Sequence, residues 1–144
     1  MRRTGKRLEI GSNICADLLR SAAQGYPGET CGILLGRIDG EARIVEGFRH
    51  APNRWAERAD RYLVDPDTLR RALAAEETGG PRVLGFYHSH PDASPVPSQT
   101  DLELAWPWYY YVIIRVAEGE PEEARAWELD VDGGRFEERP IDYT

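Results

Sequence analysis

Cysteine is scarce in this sequence, and long apolar segments are absent. Cys15 and Cys31 are the two cysteines among 144 residues. Because they are too few for a disulfide scaffold and do not form a Cys-x-x-Cys pair, two buried thiols are predicted, with a single bridge as the alternative. The longest apolar run, residues 108–116, is interrupted by Arg115 and falls short of the ~20 residues of a membrane-spanning helix.

The N-terminal segment also lacks an export signal. Residues 1–11 carry four basic side chains but not the apolar core of about 7–15 residues that a signal peptide requires. We therefore expect a cytoplasmic protein with no membrane partner.

An excess of basic residues is missing as well. The formal net charge is −7, and residues 118–144 account for it with ten acidic residues and three arginines. Residues 1–117 contain fifteen charges of each sign. Since phosphate binding requires a basic surface, no nucleic-acid partner is expected, and the acidic segment is predicted to be a solvated surface.

What the sequence contains predicts one packed α+β domain over residues 1–144, with a curved, mixed sheet. Hydrophobic residues make up 41% of the chain, which includes four tryptophans and favours a core over disorder. Helical spacing and capping signals predict helices over residues 12–25, 66–79 and 98–106. Apolar runs and turn signals predict strands over residues 6–10, 29–36, 43–48, 61–64, 82–88, 108–116, 124–130 and 135–142.

Two features of the first half have alternative interpretations. Residues 49–61 are polar, and Trp55 lies there among four arginines. This segment is either a docking surface or a surface loop with one half-buried tryptophan. Glu29 precedes an apolar strand, where a carboxylate is costly to bury without a partner. It is either paired inside the protein or turned toward water.

The strongest chemical signal lies at the end of the strand over residues 82–88. His88 and His90 are two residues apart, so on a strand their imidazoles face the same way. Ser98 is placed to cap a short helix, and Asp101 lies one turn into it. Two imidazoles and a carboxylate suit zinc, with a fourth position left for water as in catalytic sites. The sequence contains neither His-Glu-x-x-His nor the Pro-Cys-x-x-Cys of zinc deaminases.

Together these residues resemble the JAMM motif of MPN-type metallopeptidases. The match comprises His88-x-His90, seven residues, Ser98, two residues and Asp101, with Glu29 upstream. The segments 29–36 and 85–91 resemble the family's glutamate and histidine strands, and the short chain resembles the stand-alone prokaryotic members. The resemblance implies an MPN-like α+β fold in which a curved mixed sheet is flanked by helices, as in the three-layer cytidine deaminases.

The resemblance also implies a reaction. His88, His90 and Asp101 would bind Zn²⁺, and Glu29 would act as general base and then general acid. Ser98 would stabilise the oxyanion. The alternative is that Ser98 only caps its helix, and one hydroxyl can fill both roles. Cys31 lies on the same strand face as Glu29, and packing is favoured there over metal ligation.

The implied substrate is the C-terminal tail of a ubiquitin-like or sulfur-carrier protein of the β-grasp type, bound as an extended strand. Hydrolysis of a peptide or isopeptide bond at that tail is the favoured function. The alternatives are a non-catalytic MPN-type protein-binding module and a zinc hydrolase of small amides. The sequence contains no signal for the oligomeric state.

Overall fold

The computed structural model describes residues 5–53, 64–130, 132 and 134–144, and these residues form eight strands and three helices. The strands are β1 (Arg7–Ile10), β2 (Cys31–Asp39), β3 (Ala42–Ala51), β4 (Arg82–Pro91), β5 (Tyr110–Ala117), β6 (Glu120–Asp130), β7 (Arg135–Arg139) and β8 (Ile141–Tyr143). The helices are α1 (Ser12–Ala23), α2 (Pro66–Glu77) and α3 (Gln99–Leu104).

All eight described strands belong to one mixed sheet, in the order β7-β6-β5-β4-β2-β3-β1-β8. The pairs β1–β3, β1–β8 and β4–β5 are parallel, and the other neighbours are antiparallel. Strand β4 therefore lies inside the sheet, between β2 and β5. Gly85 permits this close packing, because a Cβ atom there would lie 1.9 Å from the carbonyl oxygen of Tyr110 on β5.

The end of the chain shows why the sheet is curved. Strands β7 and β8 lie at opposite edges of the sheet, yet Pro140 alone separates them in the sequence. The two edges must therefore approach each other at this residue. The prediction of a single strand over residues 135–142 is wrong here, because a proline has no N–H to donate to a ladder. Its carbonyl oxygen instead accepts a hydrogen bond from Leu8 N of β1, at 2.9 Å.

The two faces of the sheet are covered by different helices. Alternate residues on the strands point to opposite faces. One face packs against α1 in a cluster that includes Leu18, Ala22, Leu34, Leu84, Tyr87 and Val112. The other face packs against α2 in a cluster that includes Ala72, Ile33, Val83, Phe86 and Tyr111. The predicted three-layer α+β arrangement with a curved mixed sheet is thus confirmed.

Local signals placed most elements correctly, with differences at their ends. Helix α2 begins as predicted, since the Asp65 side chain accepts a hydrogen bond from Thr68 N at 3.2 Å. Strand β4 continues to Pro91, into a stretch predicted to be irregular, because β5 pairs with it along its whole second half.

The segment predicted over residues 49–61 is partly strand, since β3 runs to Ala51. Trp55 and most of the strand predicted over residues 61–64 lie outside the described residues. Val64 is described, and it forms an isolated bridge with Asn53. Within the described part of the chain, no helix has the length and apolar character needed to cross a membrane.

Candidate metal centre

Strand β4 delivers two histidines to one face of the sheet, close to the end of the strand. His88 is 1% exposed and His90 is 8% exposed. Their Nε2 atoms lie 3.1 Å apart. His88 faces Cys31 on β2 and Ile113 on β5, so paired strands flank it on both sides. The period-2 geometry of a strand thus places two imidazoles at one point, as expected from their spacing.

Asp101 comes to the same point from helix α3. The helix begins with a reciprocal capping box, in which Ser98 Oγ accepts a hydrogen bond from Asp101 N at 3.0 Å and Asp101 Oδ2 accepts one from Ser98 N at 2.8 Å. This box fixes the direction of the Asp101 side chain. Asp101 Oδ1 lies 3.3 Å from His88 Nε2, and Oδ2 lies 3.1 Å from His90 Nε2.

Glu29 completes a cluster of four titratable side chains. It is half-buried and lies just before β2. One of its carboxylate oxygens and a ring nitrogen from each of His88 and His90 all lie within 4.8 Å of one another. The open alternative for Glu29 is therefore settled in favour of an inward position, although about sixty residues separate it from the histidines.

The surroundings act differently on the ionisable groups of this cluster. Burial lowers the pKa of His88 and outweighs the effect of Asp101, so His88 is neutral. Burial acts in the same direction on His90, but hydrogen bonds with Asp101 and with the carbonyl of Ser94 outweigh it and raise the pKa. Burial would raise the pKa of Asp101, whereas hydrogen bonds from both histidines hold it well below its usual range. The carboxylate is therefore ionised.

The carbonyl group of Ser94 determines the tautomer of neutral His90. His90 Nδ1 lies 2.8 Å from the Ser94 carbonyl oxygen. Because a carbonyl oxygen only accepts hydrogen bonds, the proton must lie on Nδ1. Once the proton that Nε2 shares with Asp101 is lost, as metal binding requires, the lone pair is on Nε2, which faces His88 and Asp101. A backbone carbonyl that orients a histidine in this way is typical of metal ligands.

The donor set fits a metal ion of the zinc type. Two imidazole nitrogens and one carboxylate are a donor combination that zinc accepts. Tetrahedral bonds of about 2.0–2.1 Å imply ligand atoms about 3.3–3.4 Å apart. The two histidine Nε2 atoms lie 3.1 Å apart, and each has a different Asp101 oxygen beside it, with Oδ1 at 3.3 Å from His88 and Oδ2 at 3.1 Å from His90. The side chains are thus close to the spacing that a tetrahedral ion requires.

The loop after β4 is fixed by residues that the sequence did not single out. Asp92 adopts a positive φ of 55°, and its Oδ2 accepts a hydrogen bond from Tyr26 Oη at 2.6 Å. Its Oδ1 accepts another from Glu118 N at 2.8 Å. Trp127 Nε1 donates to the Pro95 carbonyl oxygen at 3.0 Å. No local pattern signals these partners, because each pair combines segments that are far apart in sequence.

The two cysteines are free thiols, so the alternative of a bridge is excluded. Cys31 is buried, as predicted, whereas Cys15 is only partly buried. Cys31 Sγ lies 3.8 Å from the carbonyl oxygen of Ala51.

Comparison with known proteins places this chain in a family. The family model described as prokaryotic homologs of the JAB domain matches residues 12–130. The desampylase of Haloferax volcanii is 40% identical over 115 residues, which are 76% of this chain and 81% of that protein. The CysO-cysteine peptidase of Mycobacterium tuberculosis is 31% identical over 133 residues, which are 91% of this chain and 88% of that protein.

A solved structure agrees in fold along almost the whole chain. The solution structure of a protein from Desulfitobacterium hafniense superimposes with a TM-score of 0.82 at 28% identity, covering 95% of this chain and 92% of that one. The JAMM/MPN family is in general zinc-dependent. From the family match and these relatives, the chain belongs to the prokaryotic JAB branch of the JAMM/MPN family and is a JAMM-type hydrolase.

Proposed function

We propose that this protein is a zinc-dependent peptidase that hydrolyses a peptide or isopeptide bond at the C-terminal tail of a ubiquitin-like or sulfur-carrier protein. The observation that carries the proposal is the convergence of two imidazoles and a carboxylate at 3.1–3.3 Å, with a second carboxylate beside them. Three ligands plus a neighbouring acid are the donor set of a hydrolytic site, because a closed structural zinc site has four protein ligands.

His88, His90 and Asp101 would hold the zinc ion. When bound, zinc supplies a Lewis acid that polarises the scissile carbonyl and lowers the pKa of a bound water toward ~7. The neutral state of His88 and the ionised state of Asp101 are the states in which these side chains bind a metal.

Glu29 would transfer the proton. Its carboxylate accepts the proton of the attacking water and then donates it to the nitrogen of the leaving amine, so that the C–N bond breaks without releasing an amide anion. The position of Glu29 within 4.8 Å of the histidine ring nitrogens supports this role. A general base of this kind contributes about 10²–10⁴-fold to the rate.

Ser98 would stabilise the oxyanion. Its Oγ accepts the capping hydrogen bond from Asp101 N, so the O–H proton is available to a second partner. That proton can be donated to the carbonyl oxygen as negative charge develops on it.

The substrate class follows from the relatives. Desampylase and CysO-cysteine peptidase are named for cleavage at carrier proteins, and the chain matches both over most of their length. We place the reaction in the cytoplasm, because two free thiols fit a reducing compartment.

To test this, the purified protein is incubated with carrier proteins that have C-terminal extensions. The reaction is run in the presence and in the absence of a chelator, and mass spectrometry identifies the products. We expect one zinc per chain, cleavage that the chelator abolishes, and a Glu29→Gln variant that retains zinc but is at least 100-fold slower. The matched control is Glu46→Gln, an exposed glutamate paired with Arg37 on the neighbouring strand, which should cleave at the wild-type rate.

Two results would contradict the proposal. One is a wild-type protein without stoichiometric metal, and the other is a fully active Glu29→Gln variant. Binding of a carrier protein without any cleavage would favour the protein-binding module instead. Digestion of short amides without a carrier would favour the small-amide hydrolase.

A further inference from the structure

Ser89, between the two histidines, is tied to Thr30, the residue that follows Glu29. Ser89 N donates to the Thr30 carbonyl oxygen at 2.9 Å. Thr30 N donates to Ser89 Oγ at 2.8 Å. Ser89 is 1% exposed and Thr30 is 4% exposed. Both hydrogen bonds are therefore shielded from water and fix the geometry of this segment strongly.

The second of these bonds departs from an ordinary antiparallel ladder. The register pairs Cys31 with His88, so the next pair is Thr30 with Ser89. Two residues that face each other in a hydrogen-bonded pair exchange both backbone bonds. Here the Thr30 N–H is bound by the Ser89 side chain rather than by the Ser89 carbonyl. The Ser89 hydroxyl group thus ends the backbone ladder at Thr30. Glu29, the preceding residue, is therefore outside the ladder.

A third hydrogen bond holds Glu29 from the other side. Asn53 Nδ2 donates to the Glu29 carbonyl oxygen at 3.3 Å. Asn53 follows β3, on the side of β2 opposite to β4. The backbone around Glu29 is therefore held between the histidine strand and the end of β3.

We propose that Ser89 is a positioning residue, which sets the place of the Glu29 carboxylate relative to His88 and His90 through its hydrogen bond with Thr30. This inference rests on the proposed function, in which Glu29 transfers the proton. The side chain of Ser89 points to the sheet face opposite to the histidines, so it does not touch the reacting atoms. Its effect is on distance, and a displacement of about 1 Å at a catalytic group costs roughly 100-fold in rate.

The kinetic test compares Ser89→Ala with Ser89→Thr, which retains the hydroxyl. Ser89→Ala should lower kcat by about 10–100-fold, with KM and the zinc content unchanged. Ser89→Thr should restore kcat to within about threefold of the wild type, because the acceptor is again present. The control is Tyr111→Phe. Like Ser89→Ala, it removes a hydroxyl group that accepts a hydrogen bond from a backbone N–H, in this case from Trp106 N at 2.8 Å. It should leave kcat unchanged.

Hydrogen exchange at the Thr30 amide measures the bond itself, whether or not a substrate is known. Exchange should be at least tenfold faster in Ser89→Ala than in the wild type, and near the wild-type rate in Ser89→Thr and Tyr111→Phe. If Ser89→Ala does not fold, Asn53→Asp replaces it. This isosteric change at a partly exposed residue removes the amide N–H that donates to the Glu29 carbonyl oxygen. Like Ser89→Ala, it should lower kcat.

The inference is overturned if zinc-loaded Ser89→Ala has the kcat of Tyr111→Phe, or if Thr30 exchange is the same in Ser89→Ala as in the wild type. It is also overturned if Asn53→Asp, used in place of an unfolded Ser89→Ala, has the wild-type kcat. Failure of the proposed function has a different signature, since the wild-type protein would then be inactive on every carrier.

Discussion

Cys31 lies beside the candidate metal centre, across from His88 on the neighbouring strand. Burial raises the pKa of its thiol to about 12, and the negative charge of Glu29 acts in the same direction. The thiolate is the form that binds metals and attacks electrophiles. At neutral pH, and with no metal ion beside it, the thiol is therefore uncharged, and its contact with the Ala51 carbonyl oxygen at 3.8 Å fits the packing role that the sequence favours.

Alkylation should distinguish the two thiols. At pH 8, iodoacetamide should modify Cys15, which is partly buried, while Cys31 reacts only after denaturant is added. A pKa of about 12 leaves about 10⁻⁴ of the Cys31 thiol ionised at that pH. Peptide mass mapping measures both sites, and a Cys15→Ser variant isolates Cys31. Rapid labelling of native Cys15→Ser protein would show that Cys31 is not protected.

At the scale of secondary-structure elements, helix α3 is short but carries two residues of the candidate site. It spans six residues, and so short a helix is not stable without capping or packing. Its capping box uses Ser98 and Asp101. The same two side chains would bind zinc and stabilise the oxyanion, so helix stability and catalysis depend on one pair of residues.

Substitutions at Ser98 should separate these two roles. Ser98→Ala removes both, and we expect a loss of about 1 kcal/mol in the free energy of unfolding together with a fall of about 10²–10³-fold in kcat. Ser98→Asp keeps an oxygen that caps the helix but has no proton to donate. It should therefore recover stability without recovering kcat, whereas Ser98→Thr should keep both. Denaturant unfolding and steady-state kinetics measure the two effects, and an active Ser98→Asp variant would reduce Ser98 to a helix cap.

At the scale of the whole molecule, charged side chains connect the two halves of the curved sheet. Glu128 on β6 is 9% exposed and lies 3.0 Å from Arg139 on β7 and 3.9 Å from Arg43 on β3. Lys6, just before β1, is 3.8 Å away. A buried carboxylate needs such partners, because its desolvation is otherwise costly. The cluster thus spans strands from both halves of the sheet, close to the point where β7 passes into β8.

Zinc should stabilise the whole chain, because its proposed ligands come from both β4 and α3. At a free zinc concentration of about 100 times Kd, the expected gain is ~2.7 kcal/mol. For a chain of this size that is roughly 5–10 °C in Tm. Thermal unfolding with zinc and with a chelator measures the shift. His88→Ala should show no shift, and an equal shift in that variant would mean that zinc binds elsewhere.

The sequence by itself determined the elements whose signals are local. Asp65 and Pro66 start α2, and Ser98 with Asp101 starts α3, because capping joins residues within one turn. The two-residue spacing of His88 and His90 was enough to predict a shared strand face. The motif spacing was likewise enough to predict the family, since it depends on residue types at fixed intervals.

Only the tertiary structure decided how distant segments meet. The sequence around Glu29 allowed its side chain to point either inward or outward. The pairing of β2 with β4 selected the inward direction. Two sets of hydrogen bonds were not predictable, those between Ser89 and Thr30 and that between His90 and the Ser94 carbonyl. The alternation of side chains along a strand does not specify which atoms of distant segments meet. Pro140 divides one predicted strand for a local reason, but only the strand order shows that β7 and β8 lie at opposite edges of the sheet. Strand order is a property of the whole sheet, and each strand has the same local pattern whichever neighbour it pairs with.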